Sequence, residues 1–236
     1  MSSGIYVATA GAVAQANALD TTANNIANAS TTGFHGDRVT FREALGAARS
    51  VDVSLVDVSG ARVDAQNGAL MQTENPLDLA LEGDGMFAVD TPNGPRYTRA
   101  GNFQLDDQRR IVTADGHAVR GAGGPITIPP EAAVIAVGTD GTITADGDTV
   151  GKLELVRFEP RQLTREGSAL MAARGKPVDG EPPLVRSGML ESSNVNVVRG
   201  VVDLVKVSRT YESLMRVIQG YHDVESRAAR ELGGPK

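Results

Sequence analysis

The chemistry this chain could carry begins with its few nucleophilic and metal-binding side chains. It has three histidines, His35, His117 and His222, and no cysteine. The absence of cysteine excludes disulfides, thiolate zinc sites and cysteine nucleophiles. The histidines are widely separated, with neither H-E-x-x-H nor any paired metal-ligand spacing. Each reads as a lone surface histidine. Glu82 and Asp84 could act as an acid–base pair, but Gly83 and Gly85 around them make a turn the simpler account. Asp140, Asp146 and Asp148 superficially suggest a calcium loop. They lack the alternating ligand spacing and closing glutamate such a loop needs, so they read as hairpin turns. Gly121-Ala122-Gly123-Gly124 matches neither a P-loop nor a dinucleotide fingerprint. G-x-S-x-G is absent. The expectation is a protein that is not an enzyme and needs no cofactor or metal.

The elements around these residues fall into three regions. Residues 1–34 carry one charged side chain, Asp20. They read as a helix from about Ser3 to about Asn28, capped by Ser2 or Ser3. Ile5, Ala12, Leu19 and Ile26 recur every seven residues, with Ala8, Gln15, Thr22 and Ala29 between them. The outer face is Ala, Thr, Asn and Gln where a solvent-facing helix normally carries Lys and Glu. Such a helix suits surroundings of protein on every side. Gly33, free to take a positive φ, ends the segment.

Residues 193–236 return to helical periodicity. Val197, Leu204, Tyr211 and Ile218 again fall seven apart, with Val201, Ser208, Met215 and His222 as companions. Ser193 or Asn196 is the N-cap. Arg199/Asp203 and Glu212/Arg216 are opposite charges four apart. Gly233-Gly234-Pro235-Lys236 stops the helix. An alanine-rich seam of this kind contributes only a few kcal/mol at ~25 cal/mol per Å², less than the entropy of ordering about sixty residues. The helices should therefore be marginal alone and stable when several copies pack.

Between them the chain is rich in Gly, Pro and Asp, with β-branched runs. Strands are expected at Leu77–Leu81, Met86–Asp90, Arg96–Arg99, Gly101–Leu105, Arg110–Thr113, Ala118–Arg120, Ile126–Ile128, Val134–Val137, Thr142–Ala145 and Lys152–Phe158. Arg161–Arg165 reads as one helical turn. The fold class is thus mixed. It has an all-β central domain, sandwich- or barrel-like, with N- and C-terminal helices pairing as a coiled-coil-like bundle. The boundaries are an assembly helix at 1–34, an extended connection at 35–75, the β domain at 76–192 and a second assembly helix at 193–236. The assembly interface comprises Ile5, Ala8, Ala12, Leu19, Ile26, Val197, Val201, Leu204, Tyr211, Met215 and Ile218.

The balance of 23 basic and 29 acidic residues, net −6, argues against nucleic acid as a partner. The longest apolar run, Ala132–Val137, is far short of a membrane span. The N-terminus has neither a basic n-region nor a leucine-rich h-region, so no cleaved signal peptide is expected.

Four stretches carry a family resemblance. Ala23-Asn24-Asn25-Ile26-Ala27-Asn28-Ala29-Ser30-Thr31-Thr32-Gly33-Phe34 resembles the signature of bacterial flagellar rod and hook proteins. Asn75–Phe87 and Arg96-Tyr97-Thr98-Arg99-Ala100-Gly101-Asn102-Phe103 are similar to two motifs of that family's β domain. Ser193-Asn194-Val195-Asn196-Val197-Val198 with Ser208-Arg209-Thr210-Tyr211-Glu212 resembles its C-terminal signature. The carried-over motif residues are Asn24, Asn25, Asn28, Thr32, Gly33, Phe34, Ser193, Asn194, Tyr211 and Glu212. The compact length and the short Phe41–Ala69 connection resemble the proximal-rod branch; a distal rod protein is the alternative within the family. Met86 stands where an aromatic is usual, Arg109-Arg110 replaces a glycine turn, and the tail beyond Tyr221 is longer and more charged. The resemblance implies a self-assembling structural subunit whose partners are itself, other rod subunits and the flagellar type III export apparatus. It also implies a periplasmic place in the basal body. A carbohydrate-binding or hydrolytic β domain with accessory helices is the alternative of a different class.

Overall fold

A computed structural model describes residues 2–45 and 54–232. The terminal Gly233–Lys236 stop, part of the 35–75 connection and the Ser2 or Ser3 side-chain cap lie outside what is described. Helix α1 (Ser2–Ala27) opens the described chain and α2 (Val197–Leu232) closes it. Between them run eighteen short strands among the described residues: β1 (Asp37–Leu45), β2 (Ser54–Val63), β3 (Leu70–Gln72), β4 (Leu79–Glu82), β5 (Met86–Thr91), β6 (Gly94–Thr98), β7 (Gln104–Leu105), β8 (Ile111–Val112), β9 (Ala118–Gly121), β10 (Gly124–Pro125), β11 (Ile135–Val137), β12 (Thr142–Ala145), β13 (Asp148–Lys152), β14 (Leu155–Val156), β15 (Leu163–Glu166), β16 (Leu170–Ala173), β17 (Leu184–Ser187) and β18 (Met189–Glu191).

The chain forms two compact units. The first holds α1, β1, most of β2, and α2. Alanine-rich α1 contains no proline, and three of its hydroxyls satisfy themselves locally. Thr9, Thr21 and Thr22 donate to the carbonyls of Ile5, Asn17 and Ala18, one turn back. Helix α2 starts where Asn196 Oδ1 accepts the Arg199 N–H at 3.0 Å, so Asn196 is the cap. The expected Arg199/Asp203 and Glu212/Arg216 pairs are not the contacts made. Asp203 instead meets Lys206, and Arg216 donates to Ser213. All these side chains are solvent-exposed or nearly so, where one rotamer is worth little more than another.

The second unit comprises residues 28–36 and 62–195 and is mostly β. Its largest sheet runs β15-β16-β6-β5-β9-β8-β7, with β10 and β14 attached to β9 and β5. A three-stranded sheet β11-β12-β13 and the pairs β17–β4 and β18–β3 complete it. Neighbouring strands in these sheets pair antiparallel. Leu79, Leu81, Phe87, Val89, Phe103, Ile111, Val119, Ile128, Ile143 and Val185 form the main core. Phe87 meets Phe103 edge-to-face, centroids 5.1 Å apart. Met86 joins a smaller cluster with Val63 and Met171, against which Tyr97, Val156 and Leu163 pack; its unbranched thioether adapts to such mixed neighbours.

Several expectations shift. Ile126–Ile128 is not a strand, although Ile126 and Ile128 are buried and Thr127 bridges to Arg110. Lys152–Phe158 splits at Leu153-Glu154 into the ends of two sheets. Arg161–Arg165 is only half helical: a 3-10 turn at Pro160–Gln162 gives way to β15. The 35–75 connection carries β1, β2 and β3. The signal was present in the sequence, where Val39-Thr40-Phe41 and Val56-Asp57-Val58-Ser59 alternate apolar with polar residues.

Candidate assembly site

In the first unit, α1 and α2 lie antiparallel. Their register is marked by three glycines. A Cβ on Gly4 would stand 2.5 Å from the Tyr221 hydroxyl oxygen, one on Gly11 3.3 Å from a Leu214 methyl, and one on Gly200 2.9 Å from Ile26 Cγ1. Each glycine thus receives a large side chain of the opposite helix, which lets the two backbones approach closely. Ala8, Ala12, Ala14 and Ala18 are buried, and Ile5, Leu19 and Ile26 are half-buried.

On α2, Leu204, Tyr211, Met215 and Ile218 are half-buried, while Val197 and Val201 are exposed. The companion column facing α1 runs through Gly200, Leu214 and Tyr221, one residue away from the expected Val201, Met215 and His222. The sequence did hold this signal: Val207, Leu214 and Tyr221 are apolar where Ser208 and His222 are polar. A glycine facing a bulky residue is invisible to a search for apolar pairs. Asp20 is exposed, and Lys206 turns to Asp203 on its own helix. Within the same unit Asn25 closes a two-bond ring with the backbone of Asp37, at 2.8 Å each way.

In the second unit, the quoted motifs meet around one buried carboxylate. Glu191 is fully buried. Its Oε1 lies 2.9 Å from His35 Nε2 and accepts the Gly68 N–H at 2.8 Å; its Oε2 accepts from Arg99 at 3.1 Å. Arg99 also donates to the carbonyls of Leu81 and Gly83 and to Asn67. Burial works to raise the Glu191 pKa. The His35 hydrogen bond, the Arg99 charge and the Gly68 N–H outweigh it and hold the carboxyl below its ordinary range. Burial pulls the Arg99 guanidinium down, with Glu191 opposing.

Backbone contacts extend this clasp. Gly33 N–H donates to the Glu191 carbonyl at 2.7 Å, and Asn194 N–H to the Phe34 carbonyl at 3.2 Å. Asn194 Oδ1 accepts from Gly36 N–H, and its amide donates to the Gln66 carbonyl at 2.7 Å. Phe34 is fully buried, with the Arg165 guanidinium 4.3 Å from its ring centroid. Thr31 N–H bonds the Asn28 carbonyl, and Ser193 Oγ accepts from Val195 N–H. Thr32 is half-buried, while Asn24 and Glu212 are exposed.

The surface reading of His35 is therefore corrected: it is buried, with Nδ1 3.0 Å from the Asp64 carbonyl oxygen and Nε2 on Glu191. Its partner lies 156 residues away in sequence, so no local spacing reveals it. Chemically the cluster is saturated. Glu191 spends its oxygens on three donors, and Arg99 bridges three chain segments. The two carboxylates considered for acid–base work are each in an ion pair, Glu82 with Arg186 at 2.6 Å and Asp84 with Arg157 at 3.1 Å. Asp140, held by Thr142 and Lys152, has its pKa driven far down and serves a turn.

Three family descriptions match segments of this chain: "Flagella basal body rod protein" at residues 5–35, "Flagellar hook protein FlgE/F/G D1 domain" at 80–145, and "Flagellar basal body rod FlgEFG protein C-terminal" at 186–231. Similarity to whole proteins decides the matter. The flagellar basal-body rod protein FlgF of Rhizobium meliloti is 35% identical over 241 aligned residues, covering 100% of both chains. The chain belongs to the flagellar basal-body rod protein family. FlgF of Escherichia coli is 37% identical, over 98% of this chain and 99% of that protein. FlgG of Bacillus subtilis is 34% identical but spans 85% of this chain and 88% of its own length. This rod protein is most like FlgF. No helix among the described residues is long and apolar enough to cross a membrane.

Proposed function

We propose that this chain is a structural subunit of the flagellar basal-body rod, of the proximal FlgF type, which polymerises through its terminal helices. The observation that carries the reading is the character of the helix pair. α1 holds a single charge, Asp20, and α2 leaves a row of valines exposed. A free-standing helical hairpin would cover those faces with charge; a subunit of a packed tube would not. The segments at 1–34 and 193–236 are the assembly elements, joined in a coiled-coil-like bundle. The β domain is closed in a sandwich- or barrel-like way. Ile5, Ala8, Ala12, Leu19, Ile26, Leu204, Tyr211 and Ile218 form the helix seam, with Leu214 in the place expected of Met215, and Val197 and Val201 face other subunits. Partners are further copies, other rod subunits and the type III export apparatus, which delivers the chain uncleaved to the periplasm. The subunit transmits torque from motor to hook and catalyses nothing.

The test is a deletion strain complemented with this chain. Restored swimming, and electron micrographs of basal bodies with complete rods, are the expected result. Intact rods and normal swimming in the uncomplemented deletion would overturn it.

A further inference from the structure

Two faces of α2 remain uncovered by α1, and their spacing matches. Val198, Val201 and Val205 form one, flanked by Val197 and Val202; Val198 is 76% exposed and the other four between 46% and 49%. Val217, Gly220 and Val224 form the other, with both valines about half exposed and open space around Gly220. Each has the three-then-four spacing of a short heptad seam. Val217 follows Val198 by nineteen residues, Gly220 follows Val201 by nineteen, and Val224 follows Val205 by nineteen.

We propose that α2 of one copy packs parallel against α2 of a second copy, offset by nineteen residues, about 28 Å at 1.5 Å per residue. This rests on the rod reading above and names its contact. Val217 meets Val198 of the next copy, Val224 meets Val205, and Val201 enters the gap left by Gly220. The charges agree with the offset. In parallel helices, a residue just before a seam position lies across from the one five further along its partner. Here that sets Asp223 against Arg209 of the next copy, and both are exposed. Occupant and register are thus fixed by one self-complementary pattern. The two faces lie about 100° apart around α2. The contact is therefore between unlike surfaces and grows an open helical array, not a closed dimer. The Asp223–Leu232 stretch also runs on where α1 no longer accompanies it, since Gly4 already faces Tyr221.

Because the chain has no cysteine, the register can be read by cross-linking. The double variant Val198→Cys/Val217→Cys is placed on the chromosome of the source bacterium, basal bodies are purified, and mild oxidation is followed by non-reducing electrophoresis. Within one chain these positions are about 28 Å apart, too far for a disulfide. Dimers and longer ladders are expected in this variant and in Val205→Cys/Val224→Cys. Each single variant should stay monomeric. So should Val198→Cys/Val224→Cys, which is displaced by one heptad, about 10 Å. Monomers alone from both matched pairs, or equal yields from the displaced pair, in rods that contain the chain, would overturn the offset. Absence of the unsubstituted chain from basal bodies would sink the rod reading itself, and this inference with it.

Discussion

Gly33→Ala isolates how the post-α1 turn is locked into the β unit. Gly33 has φ +63°, and a Cβ there would lie 2.3 Å from the Ala100 nitrogen and the Arg99 carbonyl carbon. The left-handed conformation alone costs an alanine roughly 1–2 kcal/mol. The clash is with backbone, so no rotamer relieves it, and the turn must withdraw by about 1 Å to reach ordinary contact near 3.4 Å. That withdrawal breaks the 2.7 Å bond from Gly33 N–H to the Glu191 carbonyl, worth about 1 kcal/mol. It also begins to expose Phe34, whose full burial is worth roughly 1.5–3 kcal/mol. The expected loss is about 3–5 kcal/mol, or ~10–15 °C in melting temperature for a unit of this size. Gly116→Ala is the control. Its φ is +83° but nothing lies within 4 Å of its Cβ, so it should lose only the conformational 1–2 kcal/mol. Melts followed by circular dichroism measure both. Equal shifts in the two variants would refute the close-approach argument.

Three further outcomes are expected. The folded Glu191 carboxyl sits below its ordinary pKa, so its stabilisation is present above about pH 4.5 and lost as pH falls through the folded value; Glu191→Gln should flatten that acid limb in urea melts, and an unchanged limb would contradict the clasp. Leu204→Asp, placing a carboxylate in the helix seam, should abolish swimming and leave the β unit's melt intact; normal motility would remove Leu204 from the seam. Arg109 stands at φ +59°, in the left-handed region that favours glycine, and its guanidinium reaches the Pro129 and Ala132 carbonyls. Arg109→Gly exchanges strain for those bonds and should lie within about 1 kcal/mol of the parent, whereas the β-branched Arg109→Val should cost about 2 kcal/mol or more by chemical denaturation.

The sequence alone determined what local rules govern. Heptad spacing placed both helices to within a residue or two at their starts, because a 3.6-residue period shows wherever one helix face is buried. Turn chemistry located Gly33, Asp146-Gly147 and the Asp115-Gly116 turn, in which Gly33, Asp146, Gly147 and Gly116 take positive φ angles that few other residues adopt. Order and spacing of the four motifs pointed to the rod family. The second column of the α2 seam was off by one. Val207 and Tyr221 beside polar Ser208 and His222 favoured the Leu214 column, but its deciding partners, Gly4 and Gly11, have no side chain to signal the contact. His35 looked like a surface residue because its partners, the Asp64 carbonyl and the Glu191 carboxylate, lie 29 and 156 residues away in sequence; burial together, not any nearby residue, joins His35, Glu191 and Arg99 into a unit. Strands β16 to β18 escaped notice for the same reason. β16 pairs with β6, β17 with β4 and β18 with β3, and a strand whose partner lies about a hundred residues away takes its register from tertiary packing that no short window contains.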